Sequence, residues 1–147
     1  MELWDNGLWN DELCDNISRK RNCFCEYGAS ASVGGSTYTY HRNETITYAL
    51  AAAACASRGA RLAQLRSPAA FGAVAAAFPH ADGLVDLTDT AAEGAFLWGG
   101  SVPNTLATAW HAGEPNDYGT GEDCAALRDG KLNDVPCDAA YVSYFCE

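Results

Sequence analysis

The sequence predicts an α+β fold, two helices followed by short strands on long loops. Three observations carry that prediction. Two Ala-rich stretches, 47–58 and 67–78, repeat apolar residues at helical spacing. After Pro79 the apolar runs become short and are broken by Gly, Asn, Asp and Pro. Helices gathered ahead of strands, rather than alternating with them, make the α+β pattern.

Taken in order, Thr37–His41 alternates Thr with Tyr and ends in a charged turn, so it reads as a strand entering the domain. Thr47 is placed to cap a helix running to Arg58, with Gly59 as the residue just past its end. Tyr48, Ala51, Ala52, Cys55 and Ala56 share one face of it. Ser67-Pro68 is an N-cap followed by a first-turn proline, and Phe71, Val74, Ala75 and Phe78 follow at helical spacing until Pro79 stops the helix. Trp98 and Trp110 read as core. Tyr118, in a loop, is open between an exposed wall and ordinary loop packing.

The 147 residues suit one domain plus an appendage. Residues 28–36, Gly-Ala-Ser-Ala-Ser-Val-Gly-Gly-Ser, have the composition of a flexible linker, which places a domain at 37–147 and an appendage at 1–27. No apolar run reaches the roughly 18 residues that a membrane helix needs. Met1–Asp5 has neither a basic start nor an apolar core, so it does not read as a secretory leader. The expectation is a piece of a larger secreted protein, or one whose leader is missing.

A net charge of −10 argues against nucleic acid, and the short basic run Arg19-Lys20-Arg21 reads as a solvated patch. Seven cysteines in a short chain point to disulfides and an oxidising compartment. A zinc site is the weaker reading, because Cys23-x-Cys25 is too tight and His41, His80 and His111 are scattered. Asn16-Ile17-Ser18 and Asn43-Glu44-Thr45 are N-glycosylation sequons. No Gly-x-Ser-x-Gly, Cys-His pair or phosphate loop appears, so no enzyme is expected and no residue reads as catalytic.

One window carries chemistry. Between Gly113 and Asp134, the residues Glu114, Asn116, Glu122, Asn133 and Asp134 put carboxylate and amide oxygens on loop sequence, interleaved with Gly and a Pro. Ca2+ takes oxygen ligands of these kinds in a flexible shell that loops can supply. A run of acids is usually only a solvated face. Here Cys124 and Cys137 flank the acids closely, which favours a built site.

Glu114-Pro115-Asn116, Glu122-Asp123-Cys124, Asn133-Asp134 with Cys137, and the ending Phe145-Cys146-Glu147 resemble a C-type lectin domain. Upstream, Cys55 with Gly59–Ala63, Leu87-Thr88-Asp89, Glu93-Gly94, Phe96-Leu97-Trp98 and Trp110 with Gly113 extend the resemblance over residues 36–147. Two departures stand out. Leu132 replaces the usual Trp before Asn-Asp, and Leu84-Val85-Asp86-Leu87 replaces Trp-Ile-Gly-Leu, putting an acid where Gly is usual. Both bear on core packing rather than on ligand positions.

The resemblance implies two helices with small antiparallel sheets and long Ca-binding loops. It implies a sugar-site Ca2+ held by Glu114, Asn116, Glu122, Asn133 and Asp134, and an auxiliary Ca2+ held by Asp89, Glu93, Asp117 and Asp123. Two such ions would bring the formal charge from −10 to −6. It implies the disulfides Cys55–Cys146 and Cys124–Cys137, and a cis Pro115. Glu-Pro-Asn is the mannose-type motif, so the expected partners are glycans or glycoproteins. Their vicinal equatorial hydroxyls, as in mannose, fucose or N-acetylglucosamine, would meet Glu114, Asn116, Glu122 and Asn133, with Tyr118 as a side wall. The rival expectation is an extracellular protein-binding module in which Ca2+ only orders the loops.

Residues 5–14 parallel 128–137, and Phe24-Cys25-Glu26 parallels Phe145-Cys146-Glu147. The first 27 residues therefore read either as the end of a preceding lectin domain or as a loosely packed leader. Cys14, Cys23 and Cys25 are left for tandem-domain or intermolecular pairing.

Overall fold

The computed structural model describes residues 30–119 and 121–147, apart from the side chains of residues 43 and 44. Strand β1 (Ser30–Val33) turns into β2 (Ser36–Ile46), and Val33 pairs with Ser36. Gly34 and Gly35 are thus a two-residue turn. Their φ values of 60° and 88° belong to the left-handed region that such hairpin turns require and glycine adopts freely. This corrects the linker reading of 28–36 over its described part. The small residues alternate, with Ala31 buried between exposed Ser30 and Ser32, and the Gly pair is a hairpin turn. The expected strand at Thr37–His41 lies inside β2. The proposed partial repeat, with Asn16, Cys14, Cys23 and Cys25, lies outside the described residues.

Helix α1 spans Tyr48–Ser57. Thr47 occupies its N-cap position, but the side chain makes no capping bond, contrary to expectation. The Tyr48 N–H donates instead to the Cys137 carbonyl at 3.2 Å, so a turn distant in the chain closes the helix start. At the other end Gly59, with φ 72°, lets the Ala60 N–H return to the Cys55 carbonyl. Ala51 and Cys55 are buried, whereas Ala56 is exposed. At about 100° per residue Ala56 lies roughly 140° from Ala51, outside the buried stripe. Helix α2 (Pro68–Ala77) begins as expected, with the Ser67 hydroxyl accepting from the Ala70 N–H at 3.1 Å. It buries Ala70, Phe71 and Val74.

The remaining strands are β3 (Gly83–Thr88), β4 (Leu97–Trp98), β5 (Val102–Pro103), β6 (Cys124–Arg128), β7 (Lys131–Val135) and β8 (Tyr141–Cys146). They run in the order β1-β2-β8-β3-β4-β5, and the β6–β7 hairpin branches from β3. The β3–β8 pair is parallel and the other pairs are antiparallel. The strands therefore join into one mixed network rather than separate small sheets, within the α+β class that was expected.

Strand β3 divides the core. Leu84 packs with α1 residues Ala51 and Cys55, while Val85 and Leu87 pack with α2 residues Phe71 and Val74 and with Trp98. Disulfides join Cys55 to Cys146 and Cys124 to Cys137. Leu132, in the position usually held by Trp, is completely buried. Asp86, in place of the usual Gly, is held by the Tyr48 hydroxyl at 2.6 Å and the Gln64 side-chain amide at 2.5 Å. Gln64 in turn accepts a bond from the Arg66 guanidinium. Among the described residues no helix is long and apolar enough to cross a membrane.

Candidate functional site

The β6–β7 hairpin supplies the rigid side of the site. Its register sets Ala125 opposite Asp134 and Ala126 opposite Asn133, and the Cys124–Cys137 disulfide closes its open end. A loop from His111 to Gly119 lies beside it. The base of this loop is tied to β7 by the His111 N–H, which donates to the Leu132 carbonyl at 2.9 Å, and by a bridge between Trp110 and Leu132. The Glu114–Pro115 peptide is cis, and Asp117 holds φ at 45°.

Acidic side chains knit this loop together. Asp134 Oδ2 accepts from the backbone N–H groups of Asn116 (2.9 Å) and Asp117 (2.7 Å). Asp117 Oδ1 accepts from Gly121 (2.5 Å) and Glu122 (3.1 Å), and Glu122 Oε2 accepts from Tyr118 (2.9 Å). Glu114, Asn116, Glu122 and Asp134 are brought together. Asn133 stands beside them on β7, but its side-chain NH2 donates to the Asp134 carbonyl at 2.7 Å. Tyr118 is 82% exposed, which excludes loop packing for its ring.

The auxiliary set gathers one layer away. Asp89, just past the end of β3, accepts from the Gly94 N–H at 2.8 Å, and its own N–H donates to the Asp123 carbonyl at 3.1 Å. The Gly94 contact was not foreseen, although Glu93-Gly94 stood in the resemblance. Burial first, and then the charges of Asp123 and Asp134, push the Asp89 carboxyl above its ordinary value. Desolvation, followed by the charges of Asp117, Asp89 and Asp123, does the same to Glu93. At Glu114, the facing Asp134 carboxyl first, then burial, raise the group. Burial and neighbouring acids act in the same direction at all three groups.

Among the described residues the buried side-chain polar atoms without a partner are Asp89 Oδ1, Glu114 Oε2 and Asp134 Oδ1. All are carboxylate oxygens, and all belong to the acids singled out above. Buried polar atoms are normally bonded, and an unpaired buried charge is strongly unfavourable. A hard divalent cation supplies the missing partner, so the residues fit Ca2+. Among the described residues no three His, Cys, Asp or Glu side chains are gathered closely enough to hold a metal ion by themselves. That is expected of a set completed by amides, in which Asp117 and Glu122 are turned onto loop N–H groups. The orphaned oxygens are the stronger observation, because they report local chemistry rather than a closed geometry.

Residues 44–147 match the family model described as Lectin C-type domain. The human protein "C-type lectin domain family 4 member E" is 31% identical over 121 residues, which cover 76% of this chain and 54% of that protein. The mouse "Low affinity immunoglobulin epsilon Fc receptor" is 37% identical over 67 residues, 45% of this chain and 20% of that protein. The chain thus spans about half, or less, of the length of these curated relatives. A crystal structure of the cow C-type carbohydrate-recognition domain of CD23, in the presence of GlcNAc2Man3 oligosaccharide, superposes with a TM-score of 0.72 at 27% identity. It covers 80% of this chain and 91% of the cow domain.

Proposed function

The chain belongs to the C-type lectin domain family, and on that premise we propose that it binds mannose-type sugars in a Ca2+-dependent manner. It is a binding domain and not an enzyme, as the family's members are, and domains of this family generally bind Ca2+. Glu114, Asn116, Glu122, Asn133 and Asp134 would hold the sugar-site ion, and Asp89, Glu93, Asp117 and Asp123 an auxiliary one. The observation that carries the reading is the set of bare buried oxygens on Asp89, Glu114 and Asp134. Bound Ca2+ supplies open positions for the lone pairs of a vicinal hydroxyl pair.

The protein's own groups do the rest. Glu114 and Glu122 accept the two hydroxyl protons in charge-assisted bonds, and the amides of Asn116 and Asn133 donate to the hydroxyl oxygens. The order acid then amide across Pro115 sets the direction of the hydroxyl pair and favours the equatorial arrangement of mannose, fucose or N-acetylglucosamine. Exposed Tyr118 forms a side wall. The disulfides and the relative named as a receptor support an extracellular place in a larger protein.

One relative is named as an immunoglobulin Fc receptor, which favours, as a second reading, a protein-binding module whose Ca2+ only orders the loops. Competition separates the two. Bound to immobilised mannan in Ca2+, the chain is released by free mannose and not by free galactose. Release by neither sugar, with a protein ligand still retained, would leave the second reading standing.

A further inference from the structure

Beside the Glu114–Pro115 peptide lies a depression of about 300 Å3, walled by Phe96, Trp110, Asn104, Thr105, Glu114 and Pro115. That volume is at the small end of ligand sites, suited to one ring rather than to an extended chain. Its aromatic wall is rigid. Phe96 is buried and meets half-buried Trp110 edge to face, with ring centroids 4.8 Å apart and planes at 64°. Its polar rim holds unused donors. Asn104 Oδ1 accepts from the Leu106 N–H at 3.1 Å, which fixes the side-chain amide. Its NH2, the Thr105 hydroxyl and the Trp110 indole N–H have no partner among the described residues.

An aromatic wall beside a few fixed donors suits a pyranose, which offers a C–H face to the rings and hydroxyls to the donors. Glu114 ties the two places together, since it lines this depression and also carries one of the orphaned oxygens of the sugar site. We propose that the depression is a second sugar subsite. It takes the pyranose joined through the anomeric carbon of the residue held at Glu114, Asn116, Glu122 and Asn133. The ligand is then an oligosaccharide rather than a single sugar. This assignment rests on the mannose-type reading above.

The test titrates the full chain in Ca2+ with methyl α-mannoside and with a panel of α-linked mannobioses. At least one disaccharide binds about fivefold more tightly than the monosaccharide, the worth of one net hydrogen bond. Ala107 also lines the depression, so Ala107→Phe fills it, and Thr105→Val removes the hydroxyl while keeping its shape. Each cuts that advantage towards unity, with methyl α-mannoside affinity held within about twofold and a Ca2+-dependent melting shift retained. Equal affinity of the unmodified chain for all the sugars would overturn the subsite, as would an advantage that survives both variants. If neither class of sugar binds, the parent reading falls and the subsite falls with it.

Discussion

Within β3, Asp86 takes hydrogen bonds from Tyr48 and Gln64. Nearby, Glu147 takes bonds from Ser36 at 2.7 Å, Arg61 at 3.0 Å and the Gln64 N–H at 3.0 Å. Three residues further on, just beyond the end of that strand, Asp89 leaves one buried oxygen bare, and Glu114 and Asp134 across the loops do the same. Burial works to raise the Glu147 carboxyl, but the bonds from Arg61, Ser36 and Gln64 outweigh it and hold the group below its ordinary value. Asp89 and Glu114 move the opposite way. A buried acid whose partners are built into the chain is part of the scaffold. One without them is open to a partner from outside, and the function proposed above makes that partner a cation.

The largest effect expected from this contrast is on metal removal. Ca2+ at about a hundredfold above its dissociation constant adds about 2.7 kcal/mol per site, so two filled sites add about 5 kcal/mol. Chelator is expected to lower the melting temperature and abolish mannan binding, as read by calorimetry and a plate assay. An unchanged midpoint would sink the two-site assignment.

Next in size are substitutions that set one group of acids against the other. Tyr48→Phe strips Asp86 of a bond and is expected to cost about 1.5–3 kcal/mol, the range for bonds to a charged group. Its cost is the same with and without Ca2+. Asp134→Asn is expected to change sign: destabilising in Ca2+, neutral or stabilising in chelator, where it relieves the crowding against Glu114. Denaturant unfolding of both variants in both conditions makes the comparison. An Asp134→Asn cost independent of Ca2+ would place that acid with the scaffold.

Helix α2 was legible because its signals are local. Ser67-Pro68 starts it, and Phe71, Val74 and Phe78 repeat within a few residues. The start of α1 was not, because the group that closes it, the Cys137 carbonyl, arrives from the far end of the chain. Strand β1 was missed for a compositional reason: Ser, Ala and Gly serve a linker and a hairpin alike, and only pairing with β2 decides between them. At the site, residue types and spacing announced the oxygens, since metal chemistry restricts the choice. Which acids would be satisfied internally was hidden. Asp86 looked like an anomaly until Tyr48 and Gln64 folded against it. The Phe96–Trp110 wall brings together residues that no local pattern links.

A smaller effect is expected on sugar choice. Glu114→Gln with Asn116→Asp keeps the number of ligands and the formal charge but exchanges donor and acceptor across Pro115. Preference is expected to move from mannose towards galactose by about tenfold, close to 1.4 kcal/mol. Competition titrations with the two sugars measure it. Undiminished mannose preference would move specificity elsewhere, with exposed Tyr118 the first candidate.

The smallest effect is on pH, and its sign depends on the metal. Asp89, Glu93 and Glu114 have folded values raised above ordinary ones of 3.8, 4.5 and 4.5. A raised carboxyl contributes stability that is fully present below its unfolded value and is lost as pH rises through the folded value. In chelator, these groups therefore make the domain melt higher at about pH 5 than at neutral pH. Glu147, held below its ordinary 4.5, opposes this only at lower pH, where its contribution is lost as it protonates. With Ca2+ the trend reverses, because the ligand carboxylates must be deprotonated to hold the ion. Stability and mannan binding then fall together on acidification, and raising Ca2+ moves the binding midpoint to lower pH. Melting curves across that range, with and without chelator, decide the matter. Parallel trends in the two conditions would mean that the bare oxygens of Asp89, Glu114 and Asp134 are not where protons and metal compete.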